Sequence, residues 1–138
     1  MSAELSLRLS ATLDDIAQLH EELEAFAAQE GWTTKLEFEV KLVVEELFTN
    51  VVNYGGCPGA PVQIDFTSEA DRLTIEMSDS GRAFDPLVDT PEPDTTSSVE
   101  DRAIGGLGVH LVLTMMDKAS YRRDGDLNRL TLVKRREE

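Results

Sequence analysis

The chain has 138 residues, enough for one hydrophobic core and too few for two domains of ordinary size. Its 13 basic and 27 acidic residues give a formal net charge of −14, which repels phosphate backbones and argues against nucleic acid or a bare membrane as a partner. The single cysteine, Cys57, excludes an internal disulfide and fits a reducing compartment. Without a long apolar run or a signal-like start, the sequence predicts a cytoplasmic protein with one domain over residues 1–138.

The first part of the chain predicts one strand followed by two helices. Polar and apolar residues alternate over Glu4–Ser10, as in a strand with one buried face. A helix is expected to open at Thr12, whose hydroxyl can cap its first turn, and to end at Gly31. A second helix is predicted over Leu36–Tyr54, where apolar residues recur at helical spacing behind a capping box at Thr34–Glu37.

The rest of the chain predicts two pairs of strands separated by a long loop and a helix. The predicted strands are Val62–Ser68, Leu73–Ser78, Ala119–Arg123 and Leu127–Lys134, and the predicted helix is Val109–Met116. From Ala83 to Asp101 the sequence has six acids, three prolines and no Lys or Arg, a composition typical of a mobile lid or insertion. This order of elements predicts an α+β layer sandwich rather than a parallel βαβ sheet.

A polar stripe runs along the second predicted helix. Glu39, Glu46, Asn50 and Asn53 are spaced by seven, four and three residues and so lie on one side of it. Such a stripe is compatible with a solvated helix face, or with a pocket lined by Glu46 and Asn50 among apolar neighbours. In a pocket, the amide oxygen of Asn50 can coordinate a hard cation such as Mg²⁺, while the Glu46 carboxylate can deprotonate a hydroxyl.

Two further motifs are weak when taken singly. Asp79-Ser80-Gly81 follows a predicted strand directly, but Asp-x-Gly is also an ordinary turn sequence. Gly105-Gly106-Leu107-Gly108 precedes a predicted helix, where glycines let the backbone approach a ligand and the exposed amides can bind phosphate. Gly-Gly-x-Gly is common in loops, and this one lacks the pattern of a Walker loop or a dinucleotide fingerprint.

Together, however, the motifs occur in a set order: Glu-x-x-x-Asn on a helix, Asp-x-Gly after a strand, and Gly-x-Gly before a helix. In this order they resemble the GHKL ATPases, which have the Bergerat fold. Over nearly the whole chain the closest resemblance is to small stand-alone anti-sigma-factor serine/threonine kinases of the RsbW and SpoIIAB type. The resemblance implies a two-layer α/β sandwich with a mixed, mainly antiparallel sheet and the helices on one face.

The same resemblance implies ATP and Mg²⁺ as cofactors and assigns residues to their binding. Glu46 would be the general base, Asn50 would coordinate Mg²⁺, and Asp79 would accept a hydrogen bond from the adenine amino group. The other implied binding residues are Asn53 at the Mg²⁺ or phosphate end, Gly81 beside the base, Gly106, Leu107 and Gly108 around the phosphates, and Thr131 on the adenine side. A lid over about residues 85–104 would close on the nucleotide.

The function implied by the resemblance is an ATP-dependent kinase that phosphorylates a serine of a STAS-type anti-anti-sigma partner and sequesters a sigma factor or a comparable target. A homodimer through the first strand and helix is also expected. One departure from the family pattern is Ile104, which stands where such kinases often have an arginine before the glycine loop. Arg82 or Arg102 could replace that charge, and the alternative is a non-catalytic, nucleotide-dependent protein-binding switch.

Overall fold

A computed structural model describes residues 2–54, 56, 59–83, 85 and 114–136 of the chain. Its elements are β1 (Ala3–Ser10), a 3₁₀ turn (Leu13–Asp15), α1 (Ile16–Glu30), α2 (Thr34–Tyr54), β2 (Pro61–Ser68), β3 (Arg72–Asp79), β4 (Lys118–Asp124) and β5 (Leu127–Arg135). The strands and the two helices predicted for these stretches are therefore confirmed. The predicted glycine loop, most of the lid and most of the helix over Val109–Met116 lie outside the described residues.

The first helix begins differently from the prediction. Thr12 is extended and its hydroxyl makes no cap hydrogen bond, so the predicted cap is wrong. Instead, the Ser10 amide donates to Asp15 Oδ2 at 2.7 Å, which ties the end of β1 to the start of α1. The helix ends at Gly31 as predicted, with φ +68° in the left-handed region that glycine adopts without strain.

The second helix begins one residue earlier than the predicted capping box requires. The Leu36 amide donates to Thr33 Oγ1 at 3.1 Å, so Thr33 is the capping residue and Thr34 is already helical. From there the helix runs to Tyr54. The polar stripe therefore follows the helix toward the end of the sheet where β2 begins, and Val51 lies beside Pro61 and Val62 there.

The described strands form one five-stranded sheet in the order β1-β2-β3-β5-β4, and each of their pairings is antiparallel. One face of the sheet packs against α1 and α2. The shared core includes Leu19, Leu23, Val40, Val43, Val44 and Phe48 from the helices and Leu7, Leu9, Ile64, Phe66, Ile75 and Leu132 from the strands. This α+β architecture agrees with the predicted sandwich. Within the described residues, no helix is long and apolar enough to cross a membrane.

The antiparallel register gathers several strand ends at one edge of the sheet. Ser10 at the end of β1 lies opposite Pro61 at the start of β2. Val62 of β2 lies opposite Asp79 at the end of β3. Asp79 in turn lies opposite Asn128 near the start of β5. Because α2 ends close to this edge, side chains from the helix and from three strands can share one cleft.

Candidate nucleotide site

The polar stripe of α2 divides into three environments. Glu39 is buried and its Oε2 lies 3.5 Å from the ammonium of Lys134, so a strand residue occupies it. Asn53 is exposed. Between them, Glu46 is half-buried and Asn50 is 2% exposed. The stripe is therefore neither one solvated face nor one pocket, and only its middle pair is available for a buried ligand.

Glu46 and Asn50 contain buried polar atoms that nothing in the described part of the chain satisfies. Glu46 Oε1 and both polar side-chain atoms of Asn50 lack a hydrogen-bond partner there. Leaving a buried polar group unpaired costs about 1–3 kcal/mol. Native proteins seldom keep such groups without a role, so this pair is a candidate for contacts with a bound group.

The electrostatics of Glu46 suit proton transfer. Burial raises the pKa of its carboxyl above the ordinary value, and the neighbouring charge of Glu45 raises it further. A carboxylate with a raised pKa holds a proton more strongly and is a better general base while it stays ionised. The side chain can therefore accept a proton from a hydroxyl brought next to it.

Asp79 lies at the end of β3 and is 8% exposed. Its Oδ2 accepts a 3.0 Å hydrogen bond from the amide of Gly81, which closes a tight turn around the carboxylate. Asp79 and Gly81 line a narrow cleft together with apolar side chains. The apolar residues are Ala11, Val51, Ala60, Pro61 and Val62. A cleft with apolar walls and one buried carboxylate suits a flat ring that carries an amino group.

Val51 connects this cleft to the α2 pair. It lines the cleft and directly follows Asn50 along the helix. Of the predicted site residues in the described part, the structure thus gathers Asp79 and Gly81 in one cleft, with Asn50 and Glu46 on the helix that forms its wall. Gly106, Leu107 and Gly108 lie outside the described residues, so their predicted role stays a prediction.

The structure does not bring Thr131, predicted on the adenine side, next to Asp79. Thr131 pairs with Glu76 and Ser120, and it lines a groove with them on the face of the sheet opposite the helices. Asp79 faces the helix layer, so the thickness of the sheet separates the two side chains. Leu130 and Leu132 are buried on the helix side, and this alternation already indicates that Thr131 points away from it.

The β5 residue that does face Asp79 is Asn128, which the sequence analysis missed. Asn128 is 6% exposed, and its Nδ2 donates to Asp79 Oδ2 at 3.2 Å. Tyr121 and Arg123 of β4 bond the same amide, their OH and guanidinium lying 2.5 and 3.2 Å from its Oδ1. The available signal was the position of a polar residue in the inward series of Asn128, Leu130 and Leu132.

The donor set fits Mg²⁺ held together with a nucleotide better than a metal ion held by protein alone. Among the described residues, no group of three or more His, Cys, Asp or Glu side chains could hold a metal. Asn50, however, offers a buried amide oxygen without a partner in that part of the chain. Mg²⁺ keeps several waters and takes few protein ligands when it also binds phosphates.

Sequence comparison connects this geometry to known proteins. Residues 9–134 match the family described as histidine kinase-like ATPase domain. The serine/threonine-protein kinase BtrW of Bordetella bronchiseptica is 31% identical over 130 residues, covering 93% of this chain and 91% of the relative. The serine-protein kinase RsbW of Listeria monocytogenes is 27% identical over 122 residues, covering 85% of this chain and 78% of the relative. The RsbW of Halalkalibacterium halodurans is 32% identical over 97 residues, and the match spans only 60% of that relative.

Solved structures show the same fold at low sequence identity. The RsbU and RsbW domains of a Mycobacterium tuberculosis protein superpose with a TM-score of 0.66 and 13% identity, covering 99% of this chain and 33% of that one. The histidine kinase AdeS of Acinetobacter baumannii superposes with a TM-score of 0.55 and 12% identity, covering 97% and 68%. These matches agree with the α+β sandwich described above.

Proposed function

The chain belongs to the histidine kinase-like ATPase domain family, and from this premise we propose that it is an ATP- and Mg²⁺-dependent serine-protein kinase that controls a partner protein. The observation that carries the proposal is the pair of buried polar side chains on α2. Glu46 and Asn50 hold atoms that no described residue satisfies, beside a cleft that ends in the Asp79 carboxylate. The relatives named serine-protein kinases support the same reaction class.

Each part of the site has a task in this proposal. Asp79 accepts a hydrogen bond from the adenine amino group, and Gly81 lets the base approach the turn. Asn50 holds Mg²⁺ through its amide oxygen, with Asn53 toward the phosphate end. Gly106, Leu107 and Gly108 contact the phosphates through their backbone. When bound, Mg²⁺ supplies positive charge that offsets the triphosphate on a chain of net charge −14.

Glu46 performs the chemical step that the chain itself contributes. It accepts the proton of the substrate serine hydroxyl as the serine oxygen bonds to the γ-phosphorus of ATP and the bond to the leaving ADP oxygen breaks. Its raised pKa favours this transfer because a more basic carboxylate draws the proton more strongly. Asn50, one helical turn away, would hold the cation, which would supply positive charge to the triphosphate.

We further propose that the substrate is a serine of a STAS-type anti-anti-sigma protein and that the kinase sequesters a sigma factor or a comparable target. The relatives RsbW and BtrW are named as serine and serine/threonine protein kinases, which supports a serine in a protein as the phosphorylated group. A homodimer through β1 and α1 is part of the proposal. Within the described strands, β1 pairs only with β2, so its other edge is free to meet a second copy.

The test is capture of partners from the native cell extract with Mg·ATP or Mg·ADP, followed by the intact mass of each captured protein. We expect a small partner that gains one phosphate only with ATP. Glu46→Gln should slow that transfer by about 10²–10⁴-fold while ATP affinity stays within a few-fold. Glu22→Gln, which removes an exposed carboxylate of α1, is the control. Unchanged phosphorylation by Glu46→Gln would overturn the assignment of the base.

The second candidate is a non-catalytic switch that binds its partner according to the nucleotide. Ile104 favours it, because loss of a charge-stabilising arginine near the γ-phosphate can cost several orders of magnitude in rate. Arg82 is exposed, and its backbone carbonyl already accepts a bond from Asn128. Partners that are captured in a nucleotide-dependent way without gaining mass would establish this candidate.

A further inference from the structure

The amide of Asn128 is held in one orientation by partners on both of its ends. Nδ2 donates to Asp79 Oδ2 at 3.2 Å and to the carbonyl of Arg82 at 2.8 Å. Oδ1 accepts from Tyr121 OH at 2.5 Å and from the Arg123 guanidinium at 3.2 Å. A flipped amide would place its NH₂ against the Arg123 guanidinium, which can only donate, and its oxygen against the two acceptors. The β4–β5 hairpin therefore presents a donor, and not an acceptor, to Asp79.

This donor determines how the Asp79 carboxylate is oriented. Oδ2 accepts from both the Gly81 amide and Asn128 Nδ2. No hydrogen bond from a described residue to Oδ1 accompanies them. With one carboxylate oxygen engaged twice, the second is left to accept a hydrogen bond from a ligand. An acceptor at that point attracts an exocyclic amino group and repels a carbonyl oxygen.

We infer that Asn128 and Tyr121 are positioning residues that make the site selective for a 6-amino purine over a 6-oxo purine. This inference rests on the proposed function, since it concerns the base of the same nucleotide. Asn128 acts through Asp79, and Tyr121 acts through Asn128. Arg123 also holds the turn that follows Asp79, because its guanidinium donates to the carbonyl of Gly81 at 2.8 Å.

A purely structural role for Asn128 makes a different prediction. A satisfied buried amide joining three strands would stabilise the sheet, and its loss would weaken all nucleotides alike. A positioning role weakens only the nucleotide whose base donates to Asp79. The discriminating quantity is therefore the ratio of the dissociation constants for Mg·ITP and Mg·ATP, since inosine carries a carbonyl where adenosine carries the amino group.

The experiment measures both constants by titration calorimetry on the full chain. The wild type should bind Mg·ATP more tightly than Mg·ITP. Asn128→Ala should lower the ITP-to-ATP ratio by about tenfold, through weaker ATP binding with little change for ITP. Tyr121→Phe removes one hydroxyl while keeping the ring, so it should lower the ratio by about two- to fivefold. Ser120→Ala, on the same strand but the opposite face, is the control and should leave the ratio unchanged.

Tyr121→Phe keeps the test decisive if Asn128→Ala fails to fold. Variants that weaken ATP and ITP equally would overturn the inference and leave a packing role. If the wild type binds Mg·ATP and the folded variants have the same ITP-to-ATP ratio of dissociation constants as the wild type, the inference fails while the proposed function stands. If the wild type shows no affinity for Mg·ATP, the proposed function itself fails, and that result needs no variant.

Discussion

Glu39 of α2 and Lys134 of β5 form an ion pair across the helix and sheet layers, with Oε2 and Nζ 3.5 Å apart. The Lys134 ammonium also donates to the carbonyl of Met115 at 2.6 Å. The two side chains are only 12% and 20% exposed, so solvent screens the pair less than it would a surface pair. This contact separates Glu39 from the rest of the α2 stripe and makes it a structural residue.

The ion pair predicts unequal effects of its two partners on stability. Lys134→Met should cost about 1–3 kcal/mol, because it leaves the Glu39 carboxylate and the Met115 carbonyl without their donor. Glu39→Gln should cost less, since Lys134 keeps the Met115 carbonyl. In urea unfolding, the double variant should lose less stability than the sum of the single ones. An additive result, or a loss of ATP affinity in Glu39→Gln, would contradict the assignment.

Asn50→Leu should stabilise the ligand-free protein and abolish Mg²⁺-dependent ATP binding. The substitution replaces a 2% exposed amide, unpaired within the described chain, by an apolar group of similar size. We expect a gain of about 1 kcal/mol from the lost desolvation cost. Thermal unfolding with and without Mg·ATP measures both effects. A less stable variant, or one that ATP still stabilises only in the presence of Mg²⁺, would show that Asn50 has another role.

The raised pKa of Glu46 predicts how the free energy of unfolding changes with pH. Its raised pKa means that the folded state binds the proton more tightly than the unfolded state. The associated stability is fully present below the unfolded pKa and is lost as pH rises through the folded pKa. Glu46→Gln should therefore gain stability relative to wild type as pH rises from about 4, near the unfolded pKa of a glutamate, through the raised pKa of the folded state. Glu22→Gln, an exposed carboxylate on α1, is the control. A pH-independent difference between wild type and Glu46→Gln would contradict the prediction.

We predict that Arg136 contributes to the free energy of unfolding through contacts far from the candidate cleft. Its guanidinium donates to the carbonyls of Glu30 and Glu69 at 2.9 and 2.7 Å and to Ser68 Oγ at 3.2 Å. Arg136→Lys cannot reproduce this fork, so it should cost about 1–3 kcal/mol.

The single tryptophan is a suitable probe for that measurement. Trp32 is 9% exposed and donates to the same Ser68 hydroxyl at 3.2 Å. Urea unfolding followed by Trp32 fluorescence should show a lower midpoint for Arg136→Lys. Arg72→Lys, at an exposed surface pair with Glu69, should change stability by less than about 0.5 kcal/mol. Equal effects of the two substitutions would contradict the role of the fork.

Local sequence patterns were sufficient to predict most of the helices and strands that the structure describes. Period-two alternation predicted β1, and the 3.6-residue period predicted α2, because both patterns record which side of an element faces the core. The prediction of caps failed at Thr12 and at Thr34, since several neighbouring hydroxyls and carboxylates compete for the same few amides. The Thr33 hydroxyl accepts from the Leu36 amide at the start of α2, while the Asp15 carboxylate accepts from the Ser10 amide at the end of β1.

Part of the candidate site could likewise be predicted from local patterns. Glu46, Asn50 and Asp79 stand in short motifs whose spacing is local, so the sequence was enough to single them out. Thr131 does not lie beside Asp79, because a motif position does not say which face of the sheet a residue occupies. The strand register places Asn128 opposite Asp79 instead.

By itself, the sequence was sufficient to predict the order of the described elements, the family and the candidate residues for cation binding and proton transfer. These properties follow from periodicity and from motifs a few residues long. Only the tertiary structure showed that Glu39 is paired with Lys134, which lies 95 residues away in the sequence, and is therefore separate from the Glu46 and Asn50 pair. It also places Asn128 in hydrogen-bond contact with both Tyr121 and Asp79. Such contacts depend on strand pairing and layer packing, which join residues that no local pattern relates.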